Sequence, residues 1–298
     1  FLGKSLRVAM ISNNYFPFVS GVSVSVDRLR NGLCDLGHTI QLLVPRYRET
    51  WQDDSSIKRI PTLMAFGQKG EFRLTNPFSA RFRRCLRGFK PDVIHVHHPF
   101  WLGSMGLFMG RRLKVPVIYT YQTRLEHYAH FVPLPGALFR NLISHTLIKR
   151  FSNRCQGVIV PTYSAEEYLR MIGVKTPSLV QPTGIDVARF SHVEASELET
   201  LREQLTIDPA SKILISVSRI SKEKNIGFML EALAELQSQG HDDLHLLLIG
   251  DGPDREAIQN QIDILKLTSQ VTLVGAVPPE RMALYYHLGD IFVFASTS

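Results

Sequence analysis

The chain has 298 residues, 44% of them hydrophobic and 20% charged, with ordinary aromatic, glycine and proline content. That excludes a disordered or fibrous protein and suits one large or two medium domains with proper cores. The net charge of +7 is unevenly spread: residues 1–190 hold 26 Lys/Arg against 11 Asp/Glu, net +15, and residues 191–298 hold 8 against 16, net −8.

Opposite charge on two regions argues for two domains, and the basic one for a polyanionic partner, an anionic membrane surface or nucleic acid. From the amino end, Leu6–Ser12 reads as a buried strand. A loop with Pro17 and Gly21 follows. Val22, Val26, Leu29 and Leu33 then recur at helical spacing up to Gly37, and Thr39–Val44 is the next strand. This βαβ opening lacks the GxGxxG dinucleotide fingerprint. Gly21, at the helix start, lets a ligand approach the backbone. Residues 46–76 are polar and poorly periodic, with strand candidates near 57–66. Phe78, Phe82, Leu86 and Phe89 mark one helical face edged by Arg81, Arg84 and Arg87. Such a face either packs on the sheet or lies on anionic lipid.

Asp92–His97 reads as a strand running into His98 and Pro99. His95, His97 and His98 invite a metal reading, but no further ligand stands at a known spacing, and histidines lining a cleft are the simpler expectation. After a helix over 103–113 and a strand over 115–120 comes a loop dense in polar and aromatic groups: Tyr121, Gln122, Thr123, Arg124, His127 and Tyr128, up to Pro135. Loops of this kind at strand ends hold substrates. Leu138, Leu142, Ile143, Thr146, Leu147 and Phe151 give an amphipathic helix with Arg140, Lys149, Arg150 and Arg154, a second membrane candidate. A strand over 157–160, a helix over 164–171 and a strand over 178–180 lead to residues 181–190. The domain boundary is placed there, giving domains 1–188 and 189–298.

The second region repeats the β-loop-α pattern. A helix over 194–205 precedes the strand 213–217, which runs into a loop carrying Arg219, Lys222 and Lys224 and then a helix over 225–239. Strands 244–249 and 271–274 end in Gly250–Pro253 and Gly275–Val277. A helix over 279–288 and a strand over 290–295 complete the chain. Cations and small residues at the carboxyl ends of successive strands describe a crevice edge fit for a phosphate, diphosphate or nucleotide; a solvated surface loop is the plain alternative. Cys34, Cys85 and Cys155 are widely spaced without a CxxC, so a reducing compartment is expected. No apolar run approaches the ~20 residues of a membrane span. Phe1 is not a start methionine, and the amino terminus is read as trimmed or replaced.

Taken together, Phe18–Gly21 with Gly37-His38, Asp92–His97, Thr183–Asp186 with Phe190, Ser218-Arg219 with Lys222, Lys224 and Asn225, Gly250–Pro253 and Val274-Gly275 resemble the retaining glycosyltransferases of family 4. The 119–135 segment looks most like the members that glucosylate diacylglycerol and related lipid glycosyltransferases. The resemblance implies an α/β, GT-B-like fold: two Rossmann-type domains with parallel sheets facing a cleft, the second incomplete. It implies a nucleotide-sugar donor, UDP- or GDP-linked, in the second domain, a lipid acceptor in the first, and no cofactor or metal. Arg219 and Lys224 would bind the donor diphosphate and assist its departure. Gly250, Asp251 and Gly275 would shape the donor loops, Asp251 structurally. Val277 would lie by the base, and Gly21 would admit the donor. Gln122 would sit at the reaction centre, with Tyr121, Thr123, Arg124, His127 and Tyr128 on the acceptor.

Two departures from the family pattern stand out. Gln122 replaces a histidine in a YxYHTR-like segment, and glutamine cannot act as a base at neutral pH. The family's E-x7-E motif should follow a segment like Phe294–Ser298, so the chain is read as C-terminally truncated and weak or inactive as it stands. The location implied is cytoplasmic, on the inner face of the membrane. Competing expectations are a non-catalytic lipid- or carbohydrate-binding protein and a nucleotide-sugar epimerase. A nucleic-acid binder ranks last, because the basic residues do not alternate with stacking aromatics.

Overall fold

Strand β1 (Arg7–Ile11) buries Val8 and Met10 on one face and Ala9 and Ile11 on the other. A strand apolar on both faces belongs inside a parallel sheet covered by helices on both sides. A computed structural model describes residues 4–49, 51–66, 72–76, 79–122 and 137–297, with the backbone alone at 66, 72 and 137–144. It sets β1 between β2 (Thr39–Pro45) and β6 (Val93–Val96), parallel to both. The sheet continues outward to β3 (Ile57–Ile60) on one side and to β7 (Val117–Thr120), β8 (Gly157–Val160) and β9 (Ser178–Val180) on the other. Its order is β3-β2-β1-β6-β7-β8-β9. Strands β4 (Thr62–Phe66) and β5 (Phe72–Thr75) form a separate antiparallel ribbon. The sequence reading found no signal for β5, because a four-residue strand of mixed polarity carries no period.

Helix α1 (Gly21–Asp35) closes the Val8/Met10 face through Val26. Helices α2 (Ala80–Phe89) and α3 (Leu102–Leu113) close the other face through Phe82, Leu86, Phe89 and Met109. Packing therefore takes the apolar face of α2, and Arg81, Arg83, Arg84 and Arg87 point to solvent. Phe78, assigned to that face, lies outside the described residues. In α4 (Ala137–Ser152) the side chains of Leu138, Leu142 and Ile143 lie outside the described residues; among those described, Ile148, Phe151 and Ser152 are buried, while Leu147, expected on the apolar face, is half exposed. Helix α5 (Tyr163–Met171) packs beside β8 and β9.

The chain divides into two units between Gly184 and Ile185, inside the 181–190 stretch. The second unit contains α6 (Ala195–Gln204), β10 (Lys212–Val217), α7 (Ile226–Ser238), β11 (Leu244–Ile249), α8 (Arg255–Ile264), β12 (Val271–Gly275), α9 (Met282–Leu288) and β13 (Ile291–Phe292). Its sheet runs β12-β11-β10-β13, all parallel. Alternation again feeds two cores. Leu246 and Leu248 pack under α7 and α8, while Ile213, Ile215, Leu247 and Ile249 pack under α6 and α9. The last strand is two residues long rather than the six expected over 290–295. Beyond it the chain turns toward the loop after β10, where Thr297 N donates to Glu223 O at 3.0 Å. Among the described residues, no helix is long and apolar enough to cross a membrane.

Candidate active site

In an open parallel sheet, ligands bind outside the carboxyl ends of the strands, where connections from neighbouring strands leave in opposite directions. The first unit has that point between β1 and β6, the second between β10 and β13.

In the second unit the loops leaving β10, β11 and β12 are tied to one another through the backbone. Ser218 N donates to Ile249 O at 3.0 Å, Ile220 N to Asp251 O at 3.0 Å, and Gly250 N to Gly275 O at 2.8 Å. Gly250 has φ +132°, and a Cβ there would sit 1.9 Å from Ser218 O, so only glycine fits. The Asp251 carboxylate accepts from Gly252 N at 2.8 Å. Gly275 turns the chain at φ +86°. Val277 is half buried against the cluster that includes Val217, Val274 and Met282.

Arg219 and Lys224 belong to the loop that leaves β10. Arg219 is exposed and donates Nη2 to Glu223 Oε1 at 2.7 Å and Nε to Ser221 Oγ at 3.4 Å. Partial burial raises the Glu223 pKa, but hydrogen bonds from Arg219 and Ser221 outweigh it and hold the carboxyl at about 2. Lys224 reaches the other side of the switch point: its Nζ is 3.5 Å from Ser296 Oγ and 5.6 Å from the Phe294 ring centroid. Asn225 begins α7 at φ 52° without a side-chain cap, so the first N–H groups of the helix add positive potential beside the two cations. Arg255, which sequence reasoning passed over, donates Nη2 to Leu273 O at 3.3 Å. Its Nη1 is buried with no hydrogen-bond partner among the described residues, 3.8 Å from where a Gly275 Cβ would lie. Fixed cations, an uncapped helix start and glycine turns together suit a diphosphate.

In the first unit, Ser20 caps α1 by accepting from Ser23 N at 3.1 Å, and Gly21 follows. A Cβ at Gly21 would meet nothing within 4 Å, so the backbone borders open space. At the switch point Asn13 N donates to His98 Nδ1 at 3.2 Å, and Asn13 Nδ2 to Phe100 O at 3.0 Å. Period-two alternation puts His95 and His97 on the face of β6 that also carries Thr120 and Gln122 of the β7 segment. His95 Nε2 lies 2.6 Å from Thr120 Oγ1, and Gln122 Nε2 donates to Ser25 Oγ of α1 at 2.9 Å. Burial lowers the pKa of His95 and His98 to about 4, and that of His97 well below its usual value, so all three rings are neutral near pH 7.

Among the described residues, four buried atoms here have no hydrogen-bond partner: Asn13 Oδ1, Gln122 Oε1 and both ring nitrogens of His97. Each unpaired buried polar group costs about 1–3 kcal/mol, a cost that marks functional positions. Asn13 and Ser25 carried no sequence signal, since neither belongs to a spaced motif. Tyr121 turns to the opposite face and joins the core between Tyr119 and Tyr168. Thr123, Arg124, His127 and Tyr128 lie outside the described residues. Among the described residues, no three His, Cys, Asp or Glu side chains are grouped to hold a metal ion.

Comparison with known proteins accounts for both units. Residues 19–189 match the family model described as Glycosyltransferase Family 4, and residues 197–298 match Glycosyl transferases group 1. The chain is 35% identical to the alpha-monoglucosyldiacylglycerol synthase of Streptococcus pneumoniae, over 98% of this chain and 66% of that protein. It is 29% identical to the GDP-mannose-dependent alpha-mannosyltransferase of Corynebacterium glutamicum, over 97% of this chain and 67% of that one. The chain thus spans about two thirds of the length of these relatives. The crystal structure of Anabaena HepE in complex with UDP superposes with a TM-score of 0.72 at 15% identity, over 98% of this chain and 75% of that one, a likeness of fold. The two parallel α/β units have the GT-B fold, and the chain belongs to glycosyltransferase family 4.

Proposed function

We propose that the protein transfers a hexose from a nucleotide diphosphate sugar to a lipid hydroxyl such as that of diacylglycerol, with retention of anomeric configuration. The observation that carries this reading is the pair Arg219 and Lys224 in the loop leaving β10 at the switch point, a loop tied through its backbone to the Gly250 and Gly275 turns. As the glycosidic bond to the diphosphate breaks, negative charge grows on the leaving oxygen. Two fixed cations and the start of α7 oppose that charge without reorganising. They supply what a divalent cation supplies elsewhere, so the reaction is proposed to need no metal or other cofactor. Gly275 lets the donor lie close to the backbone, with Val277 toward the base, while Gly250 lets the loop after β10 pack against its own turn.

In the first unit Asn13, His97 and Gln122 offer neutral hydrogen-bonding groups to a hydroxyl. Gln122 orients rather than takes a proton, since an amide has no basic form at neutral pH. Gly21 leaves room beside them. The resemblance to a monoglucosyldiacylglycerol synthase favours glucose and a glycerolipid. The resemblance to GDP-mannose-dependent enzymes keeps GDP-mannose as the second donor to test.

The protein is further proposed to act at the inner, cytoplasmic face of a membrane, held by charge. The net +15 over residues 1–190 and the outward arginines of α2 support this. Because the apolar face of α2 is committed to the core, the attraction is electrostatic, so cosedimentation with anionic vesicles should fall steeply with salt. Transfer is tested by incubating the chain, and one carried on through the E-x7-E motif, with UDP-glucose or GDP-mannose and diacylglycerol. Glycolipid formation abolished by Arg219→Ala supports the reading. Nucleotide sugar bound but never transferred by either chain would leave a binding protein in its place.

A further inference from the structure

At the edge of the first sheet opposite Gln122, a surface pocket of about 330 Å³ opens between the end of α3, the start of β7 and the segment before β8. Three cations line it: Arg111 in the last turn of α3, Lys114 at its C-cap and Arg154 just beyond α4. None of the three has a side-chain hydrogen bond or an ion pair among the described residues, and no carboxylate lines the pocket there. The negative end of the α3 dipole explains cations at Arg111 and Lys114. The end of α4 favours Arg154 in the same way, but the two dipoles do not explain why separate segments bring all three cations to one pocket. Like charges gathered without a counter-ion repel each other, and an anion relieves that repulsion.

The remaining lining completes the chemistry. Gln156 Oε1 accepts from Val117 N at 2.7 Å, which fixes the side chain and leaves its amide N–H groups as donors. Leu107, Val115 and Pro116 supply an apolar floor. Donors and positive charge over an apolar floor, in a volume at the low end of the ~300–1,000 Å³ of small-molecule sites, fit a phosphate carrying a short organic group. Arginine suits such an oxyanion because its fork of N–H groups matches the spacing of phosphate oxygens. Val117 begins β7 and Gln122 lies five residues on, about 16 Å along the strand, so this pocket is separate from the groups around Gln122.

We propose that Arg111, Lys114, Arg154 and Gln156 form a second site that binds a phosphate monoester or diester, apart from the donor and acceptor sites. The phosphate comes either from a soluble phosphoester or from the headgroup of an anionic lipid.

The test is calorimetric titration in a chain carrying Arg219→Ala, Lys222→Ala and Lys224→Ala, which takes the charge from the competing loop of the second unit whatever that loop binds. The probes are inorganic phosphate, glycerol 3-phosphate, and phosphatidylcholine vesicles with or without phosphatidylglycerol. At least one phosphate probe is expected to bind saturably, and Arg111→Gln with Arg154→Gln to weaken it at least tenfold. Arg112→Gln, on the same helix but outside the pocket, should change it less than twofold. Binding of the soluble probes assigns a free phosphoester; response to phosphatidylglycerol vesicles alone assigns a lipid headgroup. No saturable binding of any probe, or equal weakening by Arg112→Gln, overturns the proposal. Lys114→Gln gives an independent reading from a single exposed position, and thermal melts check that each variant folds.

Discussion

Arg219 and Glu223 are joined at 2.7 Å, so the cation proposed to meet the diphosphate is already held by a carboxylate four residues further along the same loop. The pair orients the guanidinium and also cancels part of its charge. Removing Arg219 and neutralising Glu223 should therefore act in opposite directions. Arg219→Ala should lower the transfer rate by ~10²–10³-fold, the usual loss for one fixed donor to a developing charge. Glu223→Gln keeps an acceptor for Arg219 and should tighten nucleotide diphosphate binding by a few-fold, within the ~1 kcal/mol of an exposed pair. Titration of UDP and GDP against both variants reads the two signs directly.

The same pair makes a statement about pH. Its folded carboxyl is depressed from 4.5 to about 2, so its contribution is present above 4.5 and disappears only as pH falls through about 2. Nucleotide affinity should therefore show no titration of this carboxyl between pH 5 and 8. An inflection there removed by Glu223→Gln would contradict the geometry.

Gly21 and Gly250 should respond to alanine in contrasting ways. At Gly250 the added Cβ would meet Ser218 O at 1.9 Å with φ at +132°, so Gly250→Ala should lose at least ~1–3 kcal/mol in urea unfolding. At Gly21 the Cβ meets nothing and the residue begins a helix, so Gly21→Ala should leave stability unchanged or slightly raised. Any loss of transfer in Gly21→Ala would then report ligand contact rather than folding.

Acid should weaken the first unit through its histidines. His95 and His98 titrate near 4 when folded and near 6.5 when unfolded, so below 6.5 the unfolded chain binds more protons and stability falls with pH. The loss accrues between 6.5 and 4 and reaches on the order of 3 kcal/mol for each ring. Scanning calorimetry at pH 7, 5.5 and 4.5 should show this slope, and His98→Asn should flatten it.

Gln122→His would install a titratable ring at the end of β7, in the position that holds one in the family pattern. Burial beside three neutral histidines should keep the new ring neutral near pH 7. Glycolipid synthesis should then change by less than tenfold and acquire an acid limb below pH 6.5. A gain of several orders of magnitude would mean that the wild-type amide lacks a proton acceptor the reaction requires.

Sequence reasoning reached the strands, the helices and the cationic loop because each leaves a local mark. Apolar runs such as Ile213–Val217 and periodic helices such as Ile226–Ser238 need no distant information. The unpaired group of Asn13, Gln122 and His97 was harder to see. Its members are separated by as many as 109 positions, and come to the same end of the sheet only because its order sets β6 beside β1 and β7 beside β6. Arg255 and Ser25 were missed for the same reason. Their meaning comes from a turn or a helix face supplied by another part of the chain. The short β13 was overestimated because the residues after Phe292 are apolar enough for a strand but are drawn toward the Glu223 carbonyl instead.

The hydrogen bonds linking Ser218, Ile220, Gly250 and Gly275 to one another have a practical consequence for redesign. Each of the three loops borrows the backbone of its neighbour to hold its own shape, so none is an independent module. Grafting one of them from a relative that uses a different sugar nucleotide would misplace the other two. A change of donor preference should instead be sought by transplanting residues 218–225, 250–254 and 275–278 as a block, or through side chains that leave those carbonyls and amides where they are.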